Sequence, residues 1–358
     1  MRKLVKLVVV DNIVPHTNAD ALELAIIGGW QCCVKKGEFK PGDSGVYFEV
    51  DSMLPLDVGF FEFLSGRNER EHEGRKYARI KTMKLRGELS QGLLLPISHF
   101  GDVFGEAILG WGALEEEDKL TEVMQVVKYE PAMPACLAGN AKGSFPSFIP
   151  KTDQERVQNI KREYEKCVAS GELFEVTYKL DGSSFTAFAI NEGDDYEEGF
   201  NPRIGVCSRN LELKIDENEG NAFVQTLKNY SLDVKLHDYL YEQERQIAIQ
   251  GEMVGPGIQK NFEGLESVQL YIYNIFDIDK QEYLLPNEAR MICEELDLDY
   301  VPLFDSPMRL PETIEEVIAM ADGESGLNGK YREGLVFKSL ERDFSFKVIS
   351  NKYLLKEE

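Results

Sequence analysis

Histidine and paired cysteine are what this chain has least of. Four histidines and six cysteines are spread over 358 residues, and no C-x-x-C pair occurs. The adjacent Cys32 and Cys33 point to opposite faces if their segment is a strand. These absences argue against a zinc centre and fit reduced thiols in an intracellular, non-secreted protein, cytoplasmic or nuclear. No apolar run approaches the ~20 residues of a membrane span. The N-terminus, Met1-Arg-Lys-Leu-Val-Lys-Leu-Val-Val-Val10, lacks a signal-peptide core and cleavage site and reads as a first strand. No internal repeat is evident. Positive charge is scarce too: 40 Lys and Arg stand against 63 Asp and Glu, a net charge of -23, which argues against broad, nonspecific binding of nucleic acid. The imbalance is uneven. Residues 1–150 carry 17 basic and 21 acidic side chains, residues 151–358 carry 23 and 42, so a local basic strip remains open to a polyanion.

What is present divides the chain in two. Residues 1 to about 125 alternate in short strand-like runs, at 4–10, 31–35, 44–50, 77–80 and 93–96, punctuated by Gly and Pro. The stretch 18–24, around Ala19-Asp-Ala-Leu-Glu23, reads as a short helix capped by Asn18. A small β-barrel of the oligonucleotide-binding (OB) type fits this count, as does an unrelated barrel. Residues 131–150 are rich in Pro, Gly, Ser and Ala and read as a linker between a domain at 1–130 and one at 151–358. In the second domain Asp153 is expected to start a helix over 154–166. Strands follow at 174–178, 186–190, 204–207, 247–253, 269–278, 335–339 and 344–348, with helices at 220–230, 236–244, 287–296 and 313–320. Thr313 and Glu316 have capping-box spacing, and the acidic run 191–199 reads as a hairpin loop. The fold class is α+β.

The chemistry starts at Lys179-Leu-Asp-Gly182, which sets a lysine and a carboxylate on one side of an extended segment before a glycine turn. Beside a phosphoanhydride a lysine can be a nucleophile. Near pKa 10 it is almost wholly protonated at neutral pH, so neighbouring cations, partial desolvation and a divalent metal are expected to lower its pKa. Alone, the tetrapeptide reads more simply as a surface lysine in a turn. Arg209, after the 204–207 strand, either forks onto a phosphate or is one more surface arginine. Glu252, on a strand ending in glycines, accepts from a ribose hydroxyl, anchors metal-bound water, or caps a turn. Glu333 enters another strand through glycine. Lys347, polar within an apolar run, is either an edge lysine or sits over a bound phosphate. Cations suit a triphosphate and carboxylates suit Mg²⁺, a hard ion that keeps several waters.

The order Lys179-Leu-Asp-Gly182, Ser208-Arg-Asn210, Gly251-Glu252, Tyr271-Ile-Tyr-Asn-Ile-Phe-Asp-Ile278, Glu333-Gly-Leu-Val-Phe-Lys338, Phe346-Lys347 resembles the covalent nucleotidyltransferase superfamily of DNA ligases, RNA ligases and mRNA capping enzymes. The resemblance covers roughly residues 148–354. Phe148-Ile-Pro-Lys-Thr-Asp-Gln-Glu-Arg156, Lys81-Thr-Met-Lys-Leu-Arg-Gly87 and the N-terminal barrel resemble the RNA ligase branch known from Naegleria and Deinococcus. The resemblance implies an OB-like RNA-binding domain followed by a nucleotidyltransferase (ATP-grasp-like ligase) domain. It also implies ATP and Mg²⁺ or Mn²⁺, with AMP carried on Lys179. Asp181, Glu252 and Glu333 would hold metal through water, and Glu252 would also reach the ribose. Arg209, Lys338 and Lys347 would contact phosphates, Tyr273 would stack on adenine, and Tyr178 and Gly182 would complete the nucleotide site. Many relatives carry a second lysine two places after Lys347. Here that place is Ile349, so the contact is missing or comes from elsewhere, with Lys352 a candidate. Typical DNA ligases and capping enzymes carry their OB domain after the last motif. Eleven residues follow Lys347, so the barrel is expected at the N-terminus and capping is disfavoured.

Lys76, Arg79, Lys81, Lys84 and Arg86 form the densest basic stretch. It reads as a charged strand face or as a track for phosphate and sugar contacts, whereas Trp30, Trp111, Phe60, Phe61 and Phe63 read as core. The expected function is an ATP-dependent RNA ligase joining 3′-hydroxyl and 5′-phosphate ends at a nick with an RNA 3′-hydroxyl strand. Its expected partner is nicked or broken RNA, or an RNA/DNA hybrid, with no membrane and a monomeric state. An ATP-dependent DNA ligase and a non-catalytic RNA-binding protein are the alternatives.

Overall fold

The structure, a computed structural model, describes residues 3–113, 117–129, 140–216, 220–328 and 331–356. The chain divides into two compact units, 1–132 and 133–356.

In the first unit the strands are β1 (Val5–Val9), β2 (Asn12–Pro15), β3 (Leu22–Ile27), β4 (Trp30–Lys35), β5 (Ser44–Phe48), β6 (Ser52–Pro55), β7 (Glu69–His72), β8 (Arg75–Arg79), β9 (Thr82–Leu85), β10 (Glu88–Gln91), β11 (Leu93–Pro96) and β12 (Val127–Lys128). Among the described residues they form four separate sheets, β1-β5-β11, β2-β3-β4, β9-β10 and β12-β6-β8-β7, rather than one closed barrel. Strand β5 is buried on both faces: Val46 and Phe48 enter one core with Leu54, Phe61 and Ile108, while Tyr47 enters another with Trp30 and Val34.

Two expectations fail here. The 18–24 segment is no helix. Its second half opens β3, where Leu24, Ala25 and Ile27 are buried, and the Asn18 amide donates to the Arg86 carbonyl (3.2 Å) instead of capping. Core burial outweighs the helix preference of Ala and Leu. Conversely, helices at Asp102–Ala113 and Glu117–Val123 close this unit where only strands were expected, with Ile108 and Leu120 fully buried. Trp30 and Phe61 are core, Phe60 packs partly against it, and Phe63 is exposed beside His99. The side chain of Trp111 lies outside the described residues.

The second unit contains β13 (Ala141–Ser144), β14 (Glu155–Arg156), β15 (Leu173–Lys179), β16 (Ser183–Asn191), β17 (Pro202–Cys207), β18 (Leu211–Leu213), β19 (Ile247–Val254), β20 (Gln269–Asp277), β21 (Glu282–Tyr283), β22 (Leu303–Arg309), β23 (Gly334–Ser339) and β24 (Ser345–Ile349). They build a seven-stranded sheet, β13-β18-β17-β16-β19-β20-β21, and a five-stranded sheet, β14-β24-β23-β15-β22. Helices Ala222–Asn229, Leu232–Gln243 and Pro286–Glu295 pack through Leu227, Leu236 and Ile292 on the first sheet; Lys161–Ser170 and Ile314–Ala321 pack through Tyr164 and Val317 on the second. The capping box is formed: the Thr313 hydroxyl accepts from the Glu316 N–H (3.2 Å), and the Glu316 carboxylate accepts from the Thr313 N–H (3.0 Å). The acidic 191–199 run joins the antiparallel β16 and β17, as a hairpin loop should.

Of the segment expected as a linker, residues 131–139 lie outside the described residues, and Ala141–Ser144 pairs with β18 as an edge strand. The helix expected over 154–166 begins only at Lys161. Glu155 and Arg156 are extended instead and run parallel to β24, opposite Phe346 and Lys347, and a 3-10 turn, Val157–Asn159, leads into the helix. Sheet pairing overrides the helical pattern, and Asp153 is used for a different purpose.

Candidate active site

Two sheets meet at one turn. Strand β15 of the five-stranded sheet ends on Lys179, Leu180 and Asp181 follow, and β16 of the seven-stranded sheet starts at Ser183. Gly182 makes the crossing. A Cβ there would lie 2.3 Å from the Met253 carbonyl oxygen, 2.7 Å from a Val254 methyl and 3.0 Å from the Glu252 side chain. The glycine is thus a requirement of close packing between this turn and β19.

That packing gathers the first group of side chains. The Lys179 amine donates to Glu333 across 2.7 Å, both side chains being largely buried. Burial opposes the ammonium charge, but Glu333, Glu252 and Asp181 outweigh it and raise the pKa above the ordinary lysine value. For the metal-free protein this corrects the part of the expectation that rested on neighbouring cations and desolvation. The cations that were to depress it are engaged elsewhere, while three carboxylates face the amine. Glu252 is pushed up to about 8, first by burial and then by the like charges on Glu333 and Asp181, against the opposing pull of Lys179 and the Gly182 N–H.

Arg209 and Lys347 form the second group. Arg209 Nη2 lies 3.9 Å and Lys347 Nζ 3.5 Å from the same oxygen of Asp153. Lys347 alternates with buried Phe346 and Val348 on β24, as its pattern predicts. Tyr273 stands between the groups. Its hydroxyl is 3.1 Å from Thr152 Oγ1 and 3.5 Å from Ser184 Oγ, and burial followed by the Glu252 charge raises its pKa.

Two residues are engaged with other partners. Tyr178 lies on the opposite face of β15 from Lys179, with its ring against Phe304 and under the Arg332 guanidinium. Lys338 is paired with Glu175, not with Lys179, and sits roughly 13 Å along β23 from Gly334, the residue opposite Lys179. Its amine donates to the Tyr273 carbonyl and to Tyr300 Oη (3.3 Å), and burial brings its pKa down to about 8 against the pull of Glu175. Ile349 is buried and sits across Gly334 from Lys179, about 10 Å away over two strand spacings. Lys352 is exposed, with its backbone N–H on Asp322 (3.3 Å).

Sequence reading missed Asp153, Thr152 and the buried support of Glu175, which takes a 2.7 Å hydrogen bond from Tyr300 and a 3.0 Å ion pair from Arg290. Thr152 and Asp153 sit inside the Phe148–Arg156 segment already singled out, where Asp153 is read as a helix start and Thr152 has no role.

No group of three or more His, Cys, Asp or Glu among the described residues is placed to ligate an ion directly. Asp181, Glu252 and Glu333 nevertheless surround a single ammonium, and this surplus of carboxylate fits a hard divalent cation held through its own water shell.

In the first unit the basic stretch divides. Arg79 is committed to Asp51 (2.6 Å) and to the face of Tyr129 (3.6 Å), and Arg75 to Asp57. Lys76, Lys84 and Arg86 are exposed, and Lys81 is half-buried.

A family model for an OB-fold domain matches residues 4–97, and the RNA ligase family model matches residues 172–352. An OB-fold domain followed by a ligase domain is therefore the class of this protein, and the chain belongs to the RNA ligase family. Its fold resembles that of Naegleria gruberi RNA ligase. The structure of that enzyme with pyrophosphate is 40% identical, with a TM-score of 0.85, covering 99% of this chain and 98% of the other. A lysine mutant of it with AMP and Mn is 39% identical, with the same TM-score and coverage. A glutamate mutant with ATP and Mn is 39% identical at a TM-score of 0.84, with the same coverage. No curated protein sequence matches the chain. No helix among the described residues is long and apolar enough to cross a membrane.

Proposed function

We propose that this chain is an ATP-dependent ligase that seals 3′-hydroxyl and 5′-phosphate ends, at nicks whose 3′-hydroxyl strand is RNA, through lysyl-AMP and a 5′-adenylated end. The observation that carries the reading is the Lys179–Glu333 pair at 2.7 Å, set among Glu252 and Asp181. Relatives solved with ATP, AMP and Mn support ATP and a divalent metal, Mg²⁺ or Mn²⁺, as its requirements. Asp181, Glu252 and Glu333 would hold such an ion through its water shell, and its positive charge would offset the carboxylates and lower the Lys179 pKa.

The chain's own residues then act in sequence. Glu333, already bonded to the Lys179 amine, is placed to take the proton the ammonium must lose. The freed amine attacks the α-phosphorus, the N–P bond forms, the bond to the bridging oxygen of the β-phosphate breaks, and pyrophosphate leaves. Arg209 and Lys347 hold phosphate oxygens, and Tyr273 lies against the base. AMP next passes to a 5′-phosphate, and a 3′-hydroxyl displaces it to form the phosphodiester. Each step is an in-line phosphoryl transfer, so positioning and charge stabilisation carry the catalysis. We assign RNA binding to residues 1–130 and the transferase activity to 151–358, whose sheet also takes in Ala141–Ser144 from the segment expected as a linker.

Sealing of matched nicks tests this. A nick with an RNA 3′-hydroxyl strand should be joined with ATP and should stay open with GTP. Joining DNA 3′-hydroxyl strands equally well would make it a general polynucleotide ligase. No joining of either would leave an RNA-binding protein.

A further inference from the structure

The segment 151–154 belongs to no helix or strand and touches both sheets of the second unit. Lys151 Nζ donates to Asn210 Oδ1 (2.9 Å), Thr152 Oγ1 meets the Tyr273 hydroxyl (3.1 Å), and Asp153 meets both Arg209 and Lys347. Arg209 follows β17 in the seven-stranded sheet, whereas Lys347 belongs to β24 in the five-stranded sheet. One carboxylate oxygen therefore draws together two cations that would otherwise repel each other.

We propose that Asp153 is an internal stand-in for a phosphate group: it fills the anion site between Arg209 and Lys347 and must be displaced when the substrate's phosphate enters. The inference rests on the proposed nucleotidyl transfer and adds to it a residue that tunes phosphate affinity from within a strap that touches both sheets. A carboxylate and a phosphoryl oxygen present the same charge-assisted acceptor to a guanidinium and an ammonium, so the two compete for one place. Asp153 is one-third exposed and Arg209 half exposed. Pairs of that kind are weak, and their loss changes affinity only several-fold. That weakness suits a placeholder: it holds the cations together and yields to a polyanion of higher charge. The neighbouring bonds of Lys151 and Thr152 keep the strap in place when the carboxylate is released.

Binding of inorganic pyrophosphate to the full chain without metal, followed by titration calorimetry at low salt, tests the proposal. Asp153→Asn keeps the side chain's shape and should bind pyrophosphate about fivefold more tightly than the parent protein. Adding Lys347→Ala should abolish that gain, since one of the two cations is then gone. The apparent KM for ATP in lysyl-AMP formation should fall in Asp153→Asn, whereas a merely structural aspartate would raise it when lost. Equal or weaker pyrophosphate binding by Asp153→Asn overturns the proposal, and so does a gain that survives Lys347→Ala. Lysyl-AMP formation by the parent protein separates the two levels. Lysyl-AMP on the parent without a gain in Asp153→Asn removes only the role of Asp153; no lysyl-AMP on the parent removes the nucleotidyl-transfer reading beneath it.

Discussion

Glu252→Gln should make the metal-free protein more stable in alkali while destroying its activity. In the folded chain burial and two neighbouring carboxylates push Glu252 from its ordinary 4.5 to about 8. Between those values the folded protein keeps a proton that the unfolded chain has released, so stability falls as pH rises through the window. The full interval corresponds to roughly 5 kcal/mol. Solvent still reaches the side chain, which reduces the expected effect to about 2 kcal/mol. Lys179 does not mask it. Its pKa is raised, so its contribution is complete below the ordinary lysine value and is lost only as pH climbs through its higher folded value, above this window. Glutamine keeps the shape and removes the charge. In EDTA at pH ~9 the variant should resist urea better than the parent by about 2 kcal/mol, and at pH ~4 the two should coincide. Mn²⁺ should narrow the alkaline gap by stabilising the parent. A variant less stable than the parent at pH ~9 without metal, or a gap that does not change with pH, would refute the charge argument.

The remaining predictions address separate links. Gly182→Ala drives a Cβ to 2.3 Å from the Met253 oxygen; it should cost about 1–3 kcal/mol in urea unfolding and lower lysyl-AMP formation at least ~tenfold by displacing the turn beside Lys179. The double change Lys84→Ala and Arg86→Ala removes two exposed cations and should weaken RNA binding while reducing the slope of log affinity against log salt by about 1.5–2. Arg79→Ala, which breaks the Asp51 and Tyr129 contacts, should show its effect as a Tm lower by a few degrees, about 1–2 kcal/mol. Thr313→Ala removes the formed capping box and should cost ~1 kcal/mol in urea unfolding.

Much of the second unit could be read from its sequence. The expected strands of that unit are present, because residues such as Phe174, Val176 and Leu335 carry a period of two into a buried core. Strand β22 escaped: Leu303–Arg309 alternates exposed and intermediate residues around Pro307 and buries none of them fully, so it gives no apolar signal. The failures at 18–24 and 154–166 share a cause. Both stretches look helical locally, yet partners far away in sequence, β2 and β4 in one case and β24 in the other, claim their backbone. At the site the residue types were legible and their charge balance was not. The lysine's pKa depends on which neighbours face it, and only the fold shows that Arg209 and Lys347 are drawn to Asp153 while Glu333 takes Lys179. Asp153 escaped for the same reason: an aspartate after a proline and a threonine looks like a helix cap until the strap is seen to touch both sheets.

The most direct test of the central claim is mass measurement on the proteolytic fragment that carries Lys179, after incubation with ATP and Mn²⁺. A gain of one AMP on that fragment, acid-labile as a phosphoramidate should be and absent in Lys179→Ala, is the predicted result. Adenylate found on another residue, or a full AMP gain persisting in Lys179→Ala, would contradict it.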